Sequence, residues 1–419
     1  MLLAGLETTG LYGLRVLGRG TSARMSHVRH VPVSERRARL AVRQALAASA
    51  AAADPEAAVR ALTVLHATEP ATVYLSLWAR VPGVTIADID RALYDDRTLV
   101  KQLAMRRTLF VFPRALLPAA WGSASARVAA MLRTRLAKEA VTHGLADDGE
   151  AWLDRAMRAT LARLEGGEEL SATRLREEVP ELAGHLELSL DKKYGGRFPV
   201  APRVLAQLAV EAEIVRGHNA GHWRTARPLW TPMSAWLGES PSPLKPREGY
   251  AELVRCWLRS FGPGTTEDVQ WWLGATKTAT VDALADVGAV GVSLDGEAAG
   301  WLLPDDLDEV EDPGPWVALL PVLDATVMGW KGRDFYVGRH GPSLFDRNGN
   351  AGTTAWVDGR IVGCWVQDDA GTVRVHLLEP VPDQARAALD AEAVQLTAWL
   401  DGDRVSTVYS SAAMKEALG

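Results

Sequence analysis

The sequence predicts an α+β fold of three similar modules in tandem, followed by a small β region. Three times along the chain, segments with the 3.6-residue period of amphipathic helices give way to a short stretch of period two. The linker "DDLDEVEDPGP" (305–315) then separates these modules from a region of alternating strands. Helices that lead into a β-hairpin are the outline of a winged helix, in which the hairpin, or wing, is attached to a helix-turn-helix.

The first module contains four predicted helices and a hairpin. Ser34 caps the helix "ERRARLAVRQALAA", and Asp54-Pro55 opens a second helix that ends near His66. Pro70 lies in the first turn of the third helix, "PATVYLSLWARV", and "TIADIDRALYDD" forms the fourth. The switch to period two in "LVKQLAMRRTLFVFP" predicts the wing.

The next two modules repeat this order without a strict sequence repeat, which favours repetition of architecture over a solenoid. In the second module, three helical segments within residues 150–231 precede the wing-like "GHWRTARPLW". In the third, "REGYAELVRCWLRSFG" ends at Gly262, and the Thr and Asp of "TTEDVQWWLG" form a variant of the capping box. The helix "KTATVDALADVG" and the hairpin "AVGVSLDGEAAGWLLP" complete this module.

Beyond the linker, period-two stretches with turn signals at Asp358-Gly359 and Ala370-Gly371 predict a small sheet or barrel. The helix "PDQARAALDAEAVQLTAWLDG" closes the chain and is expected to pack on these strands. The predicted boundaries are 1–24 for an upstream extension that we expect to be disordered, 25–140, 141–240 and 241–312 for the three modules, and 313–419 for the β region with its terminal helix.

Composition narrows the classes of function. Residues 1–138 hold 20 Lys+Arg against 9 Asp+Glu, although the whole chain carries a net charge of −6. Such an asymmetry favours a polyanionic partner for the basic part, the alternative being basic residues that are merely solvated on helix faces. Two cysteines form no disulfide framework and no metal cluster, which is typical of a reducing cytoplasm. We expect neither a signal peptide nor a membrane span, because no apolar run approaches ~20 residues.

Five stretches resemble a known family when taken in order. They are "HATEPATVYLSLWARV", "MRRTLFVFP", "FGPGTTEDVQWWLG", "LLPVLDATVMGWKGR" and "VDGRIVGCW". Together they resemble the AlkZ family of bacterial winged-helix DNA glycosylases, including its YcaQ-like branch, over roughly residues 30–410. The resemblance implies three tandem winged-helix modules and a C-terminal β-barrel around duplex DNA. It also implies hydrolysis of the N-glycosidic bond of bulky N7-alkylated purines without a metal or organic cofactor. Some members of the family unhook interstrand crosslinks.

The family's catalytic motif is a Gln, an apolar residue and then Gln or Asp before a helix, and it falls here on His66-Ala67-Thr68. An N7-alkylated guanine is cationic and leaves without protonation, so the enzyme must chiefly hold a water, which two amides do well. His66 can hold a water or act as general base near its ordinary pKa of ~6.5, unless it is a hydrogen-bonded turn residue. Thr68 offers a hydroxyl or an N-cap. Glu69 supplies a carboxylate as base or as partner of the sugar cation, or it caps the following helix.

Several cations are candidates for contact with the DNA backbone. Arg106 and Arg107 lie in the first wing with Lys101 nearby, where cations commonly meet phosphate, the alternative being exposed strand charges. Further candidates are Arg36, Arg37, Lys331 and Arg333, although Trp330 beside two cations is equally typical of a core anchor with a solvated rim. His218 and His222 are four residues apart, as in metal-binding helices, but the "NAG" between them indicates a turn. We therefore expect no metal site.

Two functions remain open from the sequence. The first is a monofunctional DNA glycosylase, and the second is a catalytically inactive winged-helix DNA-binding protein with a structural or transcriptional role. Both predict salt-sensitive binding to duplex DNA. The missing glutamines favour the second function and the complete architecture favours the first, which we prefer. Because no dimerisation helix is evident and the modules are in tandem, we expect a monomer that clamps DNA.

Overall fold

The computed structural model describes residues 28–188, 195–239 and 241–419. The extension predicted at residues 1–24 lies outside the described residues. The chain has mixed α and β structure, as predicted, and its elements fall into four parts. We name them the first unit (33–142), the second unit (149–237), the third unit (246–302) and the C-terminal unit (317–417).

The first unit packs its helices against a three-stranded antiparallel sheet. The short strand β2 pairs with β4, the second strand of the hairpin, and β4 pairs with β3. The side chain of Asp54 accepts a hydrogen bond from the Ala57 amide at 2.7 Å and so begins α2 as predicted, whereas α1 begins at Val33, and the prediction that Ser34 caps it is wrong. The elements are α1 (Val33–Arg43), α2 (Pro55–Ala61), β2 (Leu65–His66), α3 (Pro70–Trp78), α4 (Ile86–Asp90), β3 (Leu99–Leu103), β4 (Leu109–Pro113), α5 (Leu117–Ala120) and α6 (Ala126–Thr142), with β1 (His30–Val31) ahead of them.

The second unit repeats this strand order and has a hydrophobic core of its own. The short strand β5 pairs with β9, the second strand of the hairpin formed with β8. A second hairpin, β6–β7, was not indicated by the sequence pattern. The elements are α7 (Gly149–Leu164), β5 (Leu170–Ser171), α8 (Ala172–Glu178), β6 (His185–Leu188), β7 (Gly196–Pro199), α9 (Ala201–Val210), β8 (Ile214–Asn219), β9 (Pro228–Pro232) and α10 (Met233–Leu237).

The third unit takes its outer strand from the beginning of the chain. In its hairpin β10–β11, the strand β10 pairs in parallel with β1. On the other side of the hairpin, Trp301 of β11 forms a single antiparallel β-bridge with Gly264. Helix α1 also packs on this unit, where Arg43 donates to the carbonyl of Gly262 at 2.9 Å. The predicted capping box of Thr265 and Asp268 is confirmed. The elements are α11 (Pro246–Phe261), α12 (Thr266–Leu273), α13 (Lys277–Asp286), β10 (Val290–Leu294) and β11 (Ala299–Leu302).

The C-terminal unit is an open antiparallel sheet in the order β12-β13-β14-β15, so the predicted closed β-barrel is wrong for the part of the chain that the structure describes. Helix α16 packs on both edge strands and buries Leu389, Leu396 and Leu400, so a helix rather than strand pairing covers the open side. The elements are β12 (Val317–Leu320), α14 (Asp334–Val337), α15 (Gly341–Leu344), β13 (Thr354–Val357), β14 (Arg360–Gln367), β15 (Val373–Leu377), α16 (Asp383–Leu400) and α17 (Ala412–Ala417).

The first, third and C-terminal units share one hydrophobic core. At its centre, Arg80 and Asp324 form an ion pair in which both side chains are 0% exposed. The guanidinium donates to both carboxylate oxygens at 3.0 and 2.8 Å and also to the carbonyl of Gln44 at 3.0 Å. Because every polar group of this pair has a partner, it fixes the end of α3 against the loop that follows β12.

No helix in the described ranges combines the length and the apolar character needed to cross a membrane.

Candidate functional site

The three motif residues lie where β2 leaves the sheet of the first unit. His66 pairs with Phe110 on β4, and the amide of Ala67 donates to the Leu109 carbonyl at 2.9 Å, so strand pairing continues one residue beyond β2. Pro70 then begins α3. Because side chains alternate along a strand, His66 and Ala67 lie on opposite faces of this sheet. The motif loop (66–69) therefore borders two different environments.

His66 is enclosed on its face of the sheet. Its side chain is 6% exposed, and its ring lies 4.7 Å from the ring of Phe110. The Nδ1 atom is buried and has no hydrogen-bond partner among the described residues. Burial, followed by the charges of Arg106 and Arg333, lowers the pKa of His66 to about 3. The imidazole is therefore neutral at physiological pH, which disfavours the alternative in which His66 acts as a general base near its ordinary pKa.

This buried histidine makes a testable contribution to acid stability. A histidine whose folded-state pKa is depressed takes up its proton only in the unfolded chain between pH ~6.5 and its folded pKa of about 3. We expect the unfolding free energy of the wild type to fall, relative to that of His66→Gln, by roughly 1.4 kcal/mol per pH unit below pH ~6. Urea unfolding of both proteins at pH 7.5, 6 and 5 measures this difference. A constant difference across the three pH values would contradict the burial of a neutral imidazole.

Thr68 and Glu69 follow His66 at the beginning of α3. Thr68 is exposed, and because the N-cap position belongs to Glu69, the interpretation of Thr68 as N-cap is wrong. Glu69 occupies the N-cap position, as one of its two predicted roles requires, but its side chain makes no capping hydrogen bond. Its carboxylate instead accepts two long contacts of 3.4 Å, from the Thr407 hydroxyl and the Val408 amide. Burial raises the pKa of this carboxyl, although these two contacts act in the opposite direction.

Glu69 also lines the largest described cavity that touches the motif loop. This cavity of about 430 Å³ lies between α3, the strand β14 and the segment that follows α16. Its walls include Leu75, Trp365 and Met414. The carboxylate is half-buried and weakly bonded, so it is available to a group that enters the cavity with a hydrogen to donate or a positive charge.

The arginines predicted for the first wing divide between the interior and the surface. Arg106 adopts a left-handed conformation (φ 54°) in the turn between β3 and β4, and its guanidinium lies 4.0 Å from the ring of Trp271. Its Nε and Nη2 atoms are buried without partners among the described residues, and burial lowers its pKa to about 10. Arg107 is exposed. Arg106 of the first wing thus packs against the third unit, whereas Arg107 is accessible to solvent.

Arg333 joins this group of cations from the C-terminal unit. Its guanidinium lies 5.1 Å from the same Trp271 ring, donates to the carbonyls of Trp330 and Gly349 at 2.9 and 3.2 Å, and has a pKa lowered by burial. Arg36 lies 3.7 Å above the ring of Phe335, with a buried and unpartnered Nε in the described chain. Both cations are therefore largely enclosed, and Trp271 is an aromatic platform that Arg106 and Arg333 share.

The remaining predicted residues do not contact Trp271 or His66 in the described structure. Arg37 donates to the carbonyl of Phe335 at 2.8 Å, and Lys331 forms an exposed ion pair with Glu267. Lys101 points to the opposite face of the sheet from His66, because it pairs with Val111 rather than with Phe110. His218 bonds Glu169 at 2.7 Å, whereas His222 faces Asp403 at 3.4 Å, so the two histidines share no ligand.

Comparisons with known proteins converge on one family. A family model described as "DNA glycosylase AlkZ-like" matches residues 59–399. Among solved structures, the DNA glycosylase AlkZ from Streptomyces sahachiroi matches with a TM-score of 0.65 and 17% sequence identity, over 87% of this chain and 96% of that chain. No match was found among curated proteins. At this level of identity, the likeness to the solved structure concerns the fold.

Proposed function

The chain belongs to the AlkZ-like DNA glycosylase family, whose model covers most of its length, and on that premise we propose that it is a monofunctional glycosylase for N7-alkylated purines in duplex DNA. We extend the proposed substrates to interstrand crosslinks formed through the same purine position. One observation carries the proposal, which is the half-buried, weakly bonded carboxylate of Glu69 directly behind the motif position and beside a cavity.

The enzyme does not need to protonate the leaving group. An N7-alkylated purine is already cationic, so cleavage of the N-glycosidic bond requires a water nucleophile and stabilisation of a developing sugar cation. Glu69 supplies a negative charge for that cation and accepts the proton that the water loses as it bonds to C1′. His66 is neutral and can only hold a water or orient a neighbouring group. The hydroxyl of Thr68 is exposed beside them and completes the proposed set.

We further propose that the three units with helices and a hairpin are winged-helix modules with the boundaries predicted above. The strand order, in which a short strand pairs with the second hairpin strand, supports this in the first two units. Arg107 is the exposed cation of the first wing and is our leading candidate for a phosphate contact, and the exposed Lys331 is a second candidate. Arg36, Arg37, Arg106 and Arg333 contribute a positive field from within the structure. A single chain would clamp the duplex as a monomer.

The second candidate function is favoured by one observation. His66 is 6% exposed and stands where the family carries a glutamine, so the residue at the first motif position cannot present itself freely to DNA. In that case, the protein would bind duplex DNA without releasing a base. Both functions require salt-sensitive binding, and only base release separates them.

The deciding experiment is a base-release assay. Duplexes that contain N7-methylguanine or a nitrogen-mustard crosslink are incubated with the wild type, His66→Ala and His66→Gln, and abasic sites are revealed by alkaline cleavage. We expect release by the wild type, a loss of at least about 10²-fold in His66→Ala, and retention in His66→Gln, because an amide also holds a water. Duplex binding without release from either substrate would establish the non-catalytic function instead.

A further inference from the structure

Two half-buried cations from different units lie near each other on the face of the sheet opposite His66. Lys101 on β3 donates from Nζ to the hydroxyl of Tyr94 at 2.7 Å and lies 4.9 Å from the centre of that ring. Arg216 on β8 lies 4.7 Å from the ring of Trp230 and makes no hydrogen bond with the described part of the chain. Neither cation forms an ion pair within the described residues. The second unit thus adds a guanidinium to a lysine of the first.

The electrostatics of Lys101 and Arg216 favour a bound anion. Burial, and then the charge of Arg216, lowers the pKa of Lys101 to about 8, and burial lowers that of Arg216 to about 10. The acids nearby are already engaged, because Asp90 accepts from the Tyr74 hydroxyl and Glu169 accepts from the amide and ring of His218. Two desolvated cations that repel each other are unfavourable unless a negative group compensates them.

The position of the pair links it to the motif loop. Both cations line a pocket whose walls also include Ala67 and Pro70, and these two residues flank Thr68 and Glu69 in the sequence. The second unit contributes Asn219 to the same walls. The pocket is partly open to solvent and has a volume of about 30 Å³, which is room for one or two oxygen atoms. The pocket therefore fits the end of a small oxyanion whose remainder stays in solvent.

Building on the proposed function, we propose that Lys101 and Arg216 form a subsite for one phosphodiester group of the DNA strand that passes the motif loop. Lysine provides a compact charge and arginine a planar fork, a combination suited to a tetrahedral oxyanion. A phosphate held here fixes the register of the strand, so that the sugar of the damaged nucleotide lies against the motif loop. In this role, Arg216 is a positioning residue that the second unit supplies to a site in the first.

Single-phosphate neutralisation tests this subsite. Duplexes with one methylphosphonate, moved position by position along the damaged strand, are bound to the wild type, Lys101→Met, Arg216→Met and the double variant, with anisotropy as the readout. In the wild type we expect one or two adjacent positions at which neutralisation weakens binding about tenfold. The double variant should lose this position-specific effect and show a salt slope that is smaller by about one, because one phosphate contact is lost. Arg386→Gln, which removes an exposed charge on α16, should retain the wild-type pattern.

Three outcomes would overturn the proposal. The first is a position-specific effect that persists unchanged in the double variant, while thermal unfolding shows that the variant is folded. The second is loss of the position-specific effect in the single variant Lys101→Arg, although that variant keeps the positive charge. The third is stabilisation of the wild type by inorganic phosphate, lost in the double variant, without any position-specific effect on DNA, because the pocket would then serve a free anion. Since all of these readouts are of binding, absence of base release would refute the glycosylase function without deciding this one.

Discussion

Replacing Glu69 by glutamine is expected to reduce base release by roughly 10²–10⁴-fold while duplex affinity changes little. The substitution preserves size and removes the one carboxylate that the motif loop places beside the cavity. Because burial raises the pKa of Glu69, the wild-type rate should fall as the pH drops toward a midpoint above the ordinary value of 4.5 for a glutamic acid. The acid limb of that profile should be absent from the residual activity of Glu69→Gln.

Single-turnover release from an N7-methylguanine duplex between pH 4.5 and 8.5 measures both effects. Glu248→Gln is the matched control, since this carboxylate on α11 is 56% exposed and has only a distant lysine partner. The control should follow the wild type at every pH. A Glu69→Gln rate within threefold of the wild type would remove Glu69 from the chemistry and leave the water to other groups.

The second large effect concerns stability rather than activity. Asp324→Ala is expected to lower the free energy of unfolding by about 3–5 kcal/mol, because it leaves the guanidinium of Arg80 buried without its counter-ion. Ser76 would also lose the acceptor of its hydroxyl, at 2.6 Å in the wild type. Urea unfolding and the melting temperature, both measured at neutral pH, test this expectation.

A surface pair provides the comparison. Asp390→Ala breaks the exposed pair with Arg386 on α16 and should cost less than about 1 kcal/mol. The double variant Arg80→Met with Asp324→Leu should be more stable than Asp324→Ala, since apolar side chains replace both buried charges. Equal losses from Asp324→Ala and Asp390→Ala would show that the buried pair contributes nothing beyond a surface contact.

The parts of the fold that depend on local pattern could be predicted from the sequence. The helices, the hairpins and the capping box of Thr265 and Asp268 depend on residues a few positions apart, and the alternation or the cap itself encodes them. Contacts between distant segments could not be predicted in this way. The low pKa of His66 depends on its burial beside Phe110 and on the charges of Arg106 in the first wing and Arg333 in the C-terminal unit, and no local sequence pattern predicts that neighbourhood.

The candidate site also has features that the sequence could predict and features that depend on distant contacts. The position of the motif loop before α3 followed from the resemblance, whereas the orientation of its side chains depends on strand pairing with β4. Arg216 was missed because nothing in "EIVRGHN" distinguishes a guanidinium that faces a lysine from another unit. The expected barrel failed for a related reason, since period two identifies strands but does not say whether their sheet closes or receives a helix at its edges.

The parallel pairing of β1 with β10 has a consequence for synthesis on the ribosome. His30 and Ser293 are 263 residues apart, so the first strand cannot find its neighbour until most of the chain has been translated. At typical elongation speeds of about 5–20 residues per second, this interval is roughly 13 to 50 s. During that time β1 (His30–Val31) lacks its partner strand, and its backbone is open to proteases and to chaperones. The joining of β1 to this hairpin is therefore a late step of folding that cannot begin before residues 290–302 have been translated.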